Sequence, residues 1–545
     1  MSAPATPLAL HPDQLSGLPA KTRQERILAS PHSLDLVRGL SSESLFYTLK
    51  EIGLTDAGGL LGLASPEQVR DMMDLDCWRK DRLDGQRLLS WLMFLDEAGS
   101  GKLAEWALQA DVELLVWLVK RHCEVVRKAD VEHEPDFNPG RYFSFDDQYL
   151  LRFLGDEEPI LGLLLERLRV LDYRFYTHIL EQTLFELETQ LEEEALRWRM
   201  ARLADRGYPD FEQARELFRI VPPHTVRPER YPRTGEPPPS RSRDAEAVIP
   251  PDHAVLLVSE AQSFFGTALA AADPAIRERL SIELAYLTNH VVMAEACDTG
   301  ELSEVRRCAE LVCDVLNIGL EYAAQGDPDH AVRLVQDSQL HAFFQIGWSL
   351  VLGLYQRARH LDTVLQKEGE GNWQRWVDTP FREAYAGVRR PMPAFFQGLE
   401  TPGEVLYRRF RNLADVRRIE TVLSHIPHWF SALRPWLDEA DRAADRGLSL
   451  EAVWNTACIR WVATRVLTVQ PLRRAEVENF QRAFGGASDE RYAEFLSLAA
   501  RRLAWSADEG AAMRVLAAAA RPKLQEIAAL PEVDFRFMAG LFLHA

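Results

Sequence analysis

The chain has 545 residues, with 63 lysines and arginines against 82 aspartates and glutamates, a net charge of −19. Its length suits roughly three domains or one long helical array, and 47% apolar with 27% charged residues is the balance of an ordinary globular chain. So acidic a chain is poorly built to wrap nucleic acid or lie on anionic lipid, because both need a concentrated positive face.

Residues 1–35 read as a mostly disordered tail. The first twenty contain no lysine or arginine, whereas a secretory signal needs a basic start and an apolar core of roughly 7–15 residues. Residues 36–130 read as short helices in succession: LFYTLKEIGL from Leu45, SPEQVRDMMDLDCW from Ser65, RLLSWLMFLDEAG from Arg87, and KLAEWALQADVELLVWLVKRHCEVV from Lys102. Ser65-Pro66-Glu67-Gln68 is a start signal, with Ser as cap, Pro at the first helical position and Gln68 able to reach back. Short amphipathic helices divided by Gly, Asp or Ser-Pro expose faces that only their neighbours can cover. Their spacing is too irregular for any standard repeat.

Residues 131–221 form a helical extension. Arg141 to Asp146 (RYFSFD) alternates like a strand, enough for a short hairpin arm. A longer helix is predicted from about Tyr176 to Arg206, with Leu180, Leu184, Leu187, Leu191, Ala195 and Trp198 along one face. Asp210 with Gln213 repeats the capping box. Residues 222–251 hold nine prolines and five arginines, a composition that packs no helix and reads as an extended linker.

Residues 252–545 read as a C-terminal helical domain. Asp273-Pro274, Asp327-Pro328 and Thr401-Pro402-Gly403-Glu404 mark helix starts. Ala342 to Tyr355 (AFFQIGWSLVLGLY) is the longest nearly uncharged apolar run. It falls short of the roughly 20 residues a bilayer requires and reads as a buried core helix.

Known chemical motifs fail on particular residues. DEAGSGKL ends like a phosphate loop, but Asp96 stands where its first glycine belongs and Leu103 where Ser or Thr must follow Lys102. His133-Glu134 is followed by Pro135, and Phe137 replaces the second histidine of a zinc-protease helix. Cys77, Cys123, Cys297, Cys308, Cys313 and Cys458 form no C-x-x-C pair. Cys297, Cys308 and Cys313 are close in sequence and read as small buried residues on two adjacent helices, with a metal site as the other option. Two constellations remain as catalytic candidates. Asp337 and His341 are four apart on one predicted helix, where an Asp-oriented His can act as a base. Glu283, Tyr286 and His290 line another helix at spacings of three and four, and packing the two helices together would form a carboxylate–histidine pocket. The competing reading makes each histidine a buried, hydrogen-bonded core residue.

LASPEQVRDMMDLDCW (Leu63 to Trp78) and its neighbours, over residues 41–126, resemble the helical N-terminal domain of bacterial MgtE-type magnesium transporters. The membrane part of that family has no counterpart, so the resemblance implies stacked helices without transport. DLDCWRKDRL (Asp74 to Leu83) and EEEALRWRMARLADRGYPDFEQARELF (Glu192 to Phe218) are similar to an uncharacterised family of large soluble bacterial all-helical proteins, a domain of unknown function. This second resemblance spans the chain and implies no activity and no site residues.

The expectation is an all-α protein of stacked, repeat-like helices in two lobes joined by the Pro-rich linker. Acidic composition and helical stacking point to a cytoplasmic scaffold or regulatory protein that binds another protein. The alternative is an enzyme of unknown reaction, with or without a metal, using the His/carboxylate pocket of the C-terminal lobe. No cofactor, metal site, nucleic-acid partner or integral membrane association is expected. The identity of the protein partner and the oligomeric state are not legible.

Overall fold

Ser65 accepts from the Gln68 N–H at 3.1 Å while the Gln68 side chain accepts from the Ser65 N–H at 3.0 Å, closing the capping box read from the sequence. Asp327 likewise accepts from the N–H groups of Asp329 and His330, ahead of a helix that begins at Pro328. Such local starts recur through the computed structural model, which describes residues 18–99, 101–131, 137–155, 158–227, 263–367, 372–443, 448–484 and 488–544. The chain is all-α: 24 α-helices and three two-stranded sheets occur among the described residues. No helix there is long and apolar enough to cross a membrane. The chain divides into two compact units, Met1–Gln345 and Ile346–Ala545.

The first unit opens with α1 (Ala20–Leu28), α2 (Ser33–Arg38), α3 (Ser42–Ile52), α4 (Gly58–Leu61) and α5 (Pro66–Asp76). The hairpin β1 (Trp78–Arg79) and β2 (Arg82–Leu83) leads to α6 (Gly85–Ala98), α7 (Lys102–Ala107) and α8 (Val112–His122). Then come β3 (Cys123–Arg127), α9 (Lys128–Val131), β4 (Tyr149–Phe153), α10 (Glu158–Leu171), α11 (Tyr173–Phe185), α12 (Glu188–Asp205) and α13 (Phe211–Glu216). After residues 228–262, which lie outside the described residues, follow α14 (Phe264–Ala271), α15 (Pro274–Ala294), α16 (Leu302–Ala323) and α17 (Pro328–Asp337). One continuous core runs from Ala20 to Tyr208, with Phe46, Trp91, Leu118, Leu165 and Tyr176 inside it. α8 is its axis, packing against both α11 and α12.

Several expectations change here. From Ala20 the stretch expected as tail is helical, because Ile27 and Val37 are fully buried and anchor α1 and α2. The helix expected to end near Val126 stops at His122; Cys-Glu-Val-Val-Arg, with buried Cys123 and Val125, pairs as β3 with β4. RYFSFD contributes only an isolated bridge, Phe143 to Leu151. The helix expected over 176–206 breaks at Glu186 and Leu187, both extended, so Leu187 and Trp198 are exposed. The face that α12 buries is Leu191, Ala195, Arg199 and Leu203, with an arginine among the apolar residues. The Pro/Arg-rich stretch falls mostly in 228–262, and the unit boundary lies instead within α18 (Leu340–Lys367), the helix that contains the expected apolar run.

The second unit adds α19 (Phe381–Val388), the short β5 (Phe395–Phe396) and β6 (Tyr407–Arg408) pair, α20 (Leu413–Ala443), α21 (Leu450–Thr464), α22 (Arg474–Phe484), α23 (Ser488–Arg502) and α24 (Ala507–Ala529). Thr401 begins a turn rather than the expected helix, because Gly403 takes φ +90°. α21 is buried at every residue from Ala452 to Val462, as a helix packed all round must be. Its Trp454 donates to the Tyr492 hydroxyl at 2.9 Å, which donates in turn to the Ala517 carbonyl at 2.6 Å, tying α21, α23 and α24.

Candidate functional site

Three of the four candidate catalytic residues meet where α15 crosses the junction of α17 and α18. Ser338 is extended and buried, so Asp337 ends one helix and His341 lies on the next. The expected shared face of Asp337 and His341 does not exist, and Asp337 is exposed. The junction is held from α15. Arg279 donates through Nη2 to the carbonyls of Val335 at 3.2 Å and Gln336 at 3.0 Å, satisfying acceptors that the end of α17 leaves open. Glu283, one turn on and 3.3 Å from Arg279 Nε, accepts from the Leu340 N–H at 2.7 Å and so caps α18. Glu283 is a helix cap by geometry.

His290 lies two turns beyond Glu283 on α15 and is buried. Its Nδ1 is 2.9 Å from the Tyr286 carbonyl oxygen, which can only accept. Nδ1 therefore carries the proton and Nε2 keeps its lone pair. The Tyr286 ring lies against it, with centroids 4.0 Å apart. Burial pushes His290 below the usual imidazole range; the Tyr286 carbonyl opposes this and nearby His341 adds to it. The result is a neutral buried imidazole beside an exposed one. Among the described residues no group of three or more His, Cys, Asp or Glu side chains is placed to hold a metal ion.

The sequence reading missed a second centre, although Asp74, Trp78 and its three arginines lie in the two segments DLDCWRKDRL and EEEALRWRMARLADRG. Arg202 makes bidentate contacts to Asp74, Nε–Oδ2 at 2.6 Å and Nη2–Oδ1 at 2.9 Å, and to Asp111 at 3.1 and 2.9 Å. Arg199 donates to the Asp74 carbonyl at 2.8 Å and lies over the Trp78 ring, 5.2 Å from its centroid. Arg206 reaches Asp71 at 2.7 Å and Glu43 at 3.4 Å. Burial pushes Arg199 down to about 10. Burial also opposes the charge on Arg202, but the Asp74 and Asp111 carboxylates outweigh it and hold the guanidinium protonated. The signal was available as Arg199, Arg202 and Arg206 at i, i+3 and i+7, a basic stripe bordering the apolar face.

Two residues from Asp74, Asp76 accepts from Lys50 Nζ at 2.9 Å, Arg87 Nη1 at 3.2 Å and the Trp91 indole N–H at 2.8 Å. Arg87 also grips Asp298 at 3.0 and 2.8 Å, and Thr299 donates to the Leu75 carbonyl. Gly300 is required there, since a Cβ would sit 2.2 Å from Asp76 Oδ1. The cavity beside Asp74, Cys77, Trp106 and Arg202 is about 10 Å³, at the lower limit for one water and too small for a substrate. Asp74-Leu75-Asp76 is thus a structural hub that fastens α3, α6, α12 and the 298–300 turn to α5.

The chain belongs to a family of unknown function (DUF6178), whose sequence pattern matches residues 2–544. No curated protein and no solved structure matches it. The resemblance of residues 41–126 to the MgtE N-terminal domain is not supported. The family takes in the whole chain, and those residues share one core with α10–α12 instead of forming a domain of their own.

Proposed function

We propose that this member of the family is a cytoplasmic helical scaffold or regulator that binds another protein through the surface made by β4 and α10–α12. One observation carries the reading. Of the eight large apolar side chains more than half exposed among the described residues, six fall between Leu154 and Trp198: Leu154, Val170, Leu171, Phe185, Leu187 and Trp198. Water contact at such a concentration of apolar area is unfavourable by roughly 25 cal/mol per Å², and surfaces of this kind mark interaction sites. An open groove of about 320 Å³ lies on the same part of the unit, lined by Phe143, Phe153, Pro159 and Gly162, with Arg141 and Arg152. The partner is expected to present apolar side chains to this face.

The test is quantitative cross-linking from the native cell with the full chain and with its Leu171→Glu and Leu187→Glu variants. A partner near equal abundance that both variants lose supports the reading. A partner retained by both variants, or none with the unaltered chain, contradicts it.

The His290–His341 pair favours a second reading, an enzyme that moves a proton at the α15–α18 crossing. Its support is the unprotonated Nε2 of a buried imidazole beside a second histidine. A small molecule that co-purifies with the chain and is lost in both His290→Asn and His341→Ala would favour it. No such molecule in any preparation would count against it.

A further inference from the structure

The turn after α15 carries a chemical feature that neither reading uses. Ala296 takes φ +50° and Cys297 N–H returns to the Val292 carbonyl at 3.0 Å, a tight helix ending that swings Cys297 off the helix. The expectation that Cys297, Cys308 and Cys313 lie on two adjacent helices is corrected to one, Cys297, at a turn and two, Cys308 and Cys313, on α16. Cys297 Sγ is 3.1 Å from the sulfur of buried Cys308. On its other side Arg307 Nη2 approaches the Cys297 sulfur to 3.2 Å, from a side chain 47% exposed. The turn is clamped to the hub through Asp298, gripped by Arg87 and by Arg79 at 3.2 Å, and through Thr299.

We propose that Cys297 and Cys308 are a dithiol–disulfide redox site, with Cys297 the nucleophile and Cys308 the resolving thiol toward a hydroperoxide. A half-buried sulfur with a guanidinium beside it is the setting of a reactive thiolate, whereas the Cys297 contact and burial push the Cys308 thiol up and keep it protonated. The Cys308 thiol donating to it, and then the Arg307 guanidinium, hold Cys297 below the usual thiol range against the effect of burial. The sulfurs are already in contact at 3.1 Å, about 1 Å beyond an S–S bond length, so closure needs little movement.

The reaction balances in two steps. The Cys297 thiolate attacks one peroxide oxygen, the O–O bond breaks, and the departing hydroxide takes a proton to leave as water, giving the sulfenic acid. The Cys308 sulfur then attacks the Cys297 sulfur, the S–O bond breaks, and the hydroxyl leaves as water with the Cys308 proton. Two thiols lose two electrons and two protons, and one hydrogen peroxide becomes two waters.

The test uses the full chain, reduced and then treated with hydrogen peroxide. Loss of two of the six free thiols is expected, with a link between the tryptic peptides 280–306 and 308–333 that persists in Cys313→Ser. A link through Cys313, faster loss of other thiols, or a pair that stays reduced in excess peroxide would overturn the proposal. Cys308→Ser is expected to leave a sulfenic acid at Cys297 that a dimedone-type probe labels; no label counts against it. Arg307→Gln keeps both thiols and is expected to slow thiol loss by up to about tenfold, the thiolate fraction carried by one unit of pKa. An unchanged rate would remove Cys297 from the role of nucleophile.

Discussion

Arg202 holds Asp74 across 128 residues of sequence by two parallel hydrogen bonds, at 2.6 and 2.9 Å, inside the core of the first unit. Planar bidentate geometry of this kind fixes orientation as well as distance, which a lysine at the same place could not do. The pair therefore sets the angle at which α12 lies on α5.

Replacing Arg202 with Met leaves Asp74 and Asp111 without their shared partner in a buried site. Such one-sided removal costs about 3–5 kcal/mol. Urea unfolding of the full chain should show that loss, and a change below about 1 kcal/mol would mean that Arg199 and Arg206 suffice to hold the hub.

Arg279→Ala opens the acceptors that close α17 and removes the ion-pair partner of Glu283. The expected cost is about 1–3 kcal/mol, concentrated locally. Amide exchange at residues 335–341 should accelerate well before the rest of the unit. Uniform acceleration would show that the junction has no special dependence on α15.

The pH dependence of the second unit should carry the mark of Glu451. Burial and then the neighbouring Asp378 carboxylate push Glu451 from 4.5 up to about 7. The folded state thus binds a proton that the unfolded state has released between these values. Its contribution is fully present below about 4.5 and is lost as pH rises through about 7, on the order of 1–3 kcal/mol after allowing for partial solvent screening. Melting curves across that window should flatten in Glu451→Gln. An unaltered slope would assign the effect to other groups.

Fold class was legible because it rests on local signals. Ser65 with Gln68, and Asp327 ahead of Pro328, mark helix starts within four residues. What escaped the reading depends on distant partners. The break at Leu187 is invisible along a continuous leucine stripe, and Ser338 separates Asp337 from His341 only because Arg279 and Glu283 cap the two helix ends from another element. Arg199 looks like a surface residue until Trp78 and the Asp74 carbonyl are placed around it. The candidate pocket was half legible: the α15–α18 contact is present, but it turns Glu283 into a cap and leaves the two histidines as its titratable pair.

Leu171→Glu and Leu187→Glu remove exposed apolar area that supports no core. Each is expected to change stability by no more than about 0.5 kcal/mol, as surface substitutions do. A larger loss would mean that these side chains support the unit itself, and the interaction surface would have to be sought elsewhere.

The most direct measurement places a photo-crosslinking amino acid at Val170, with the same substitution at exposed Glu526 as the comparison, in the full chain in its native cell. The account predicts one saturable protein adduct from position 170 that is absent from position 526. Equal adducts from both positions, or none from position 170, would contradict an interaction face on α10–α12.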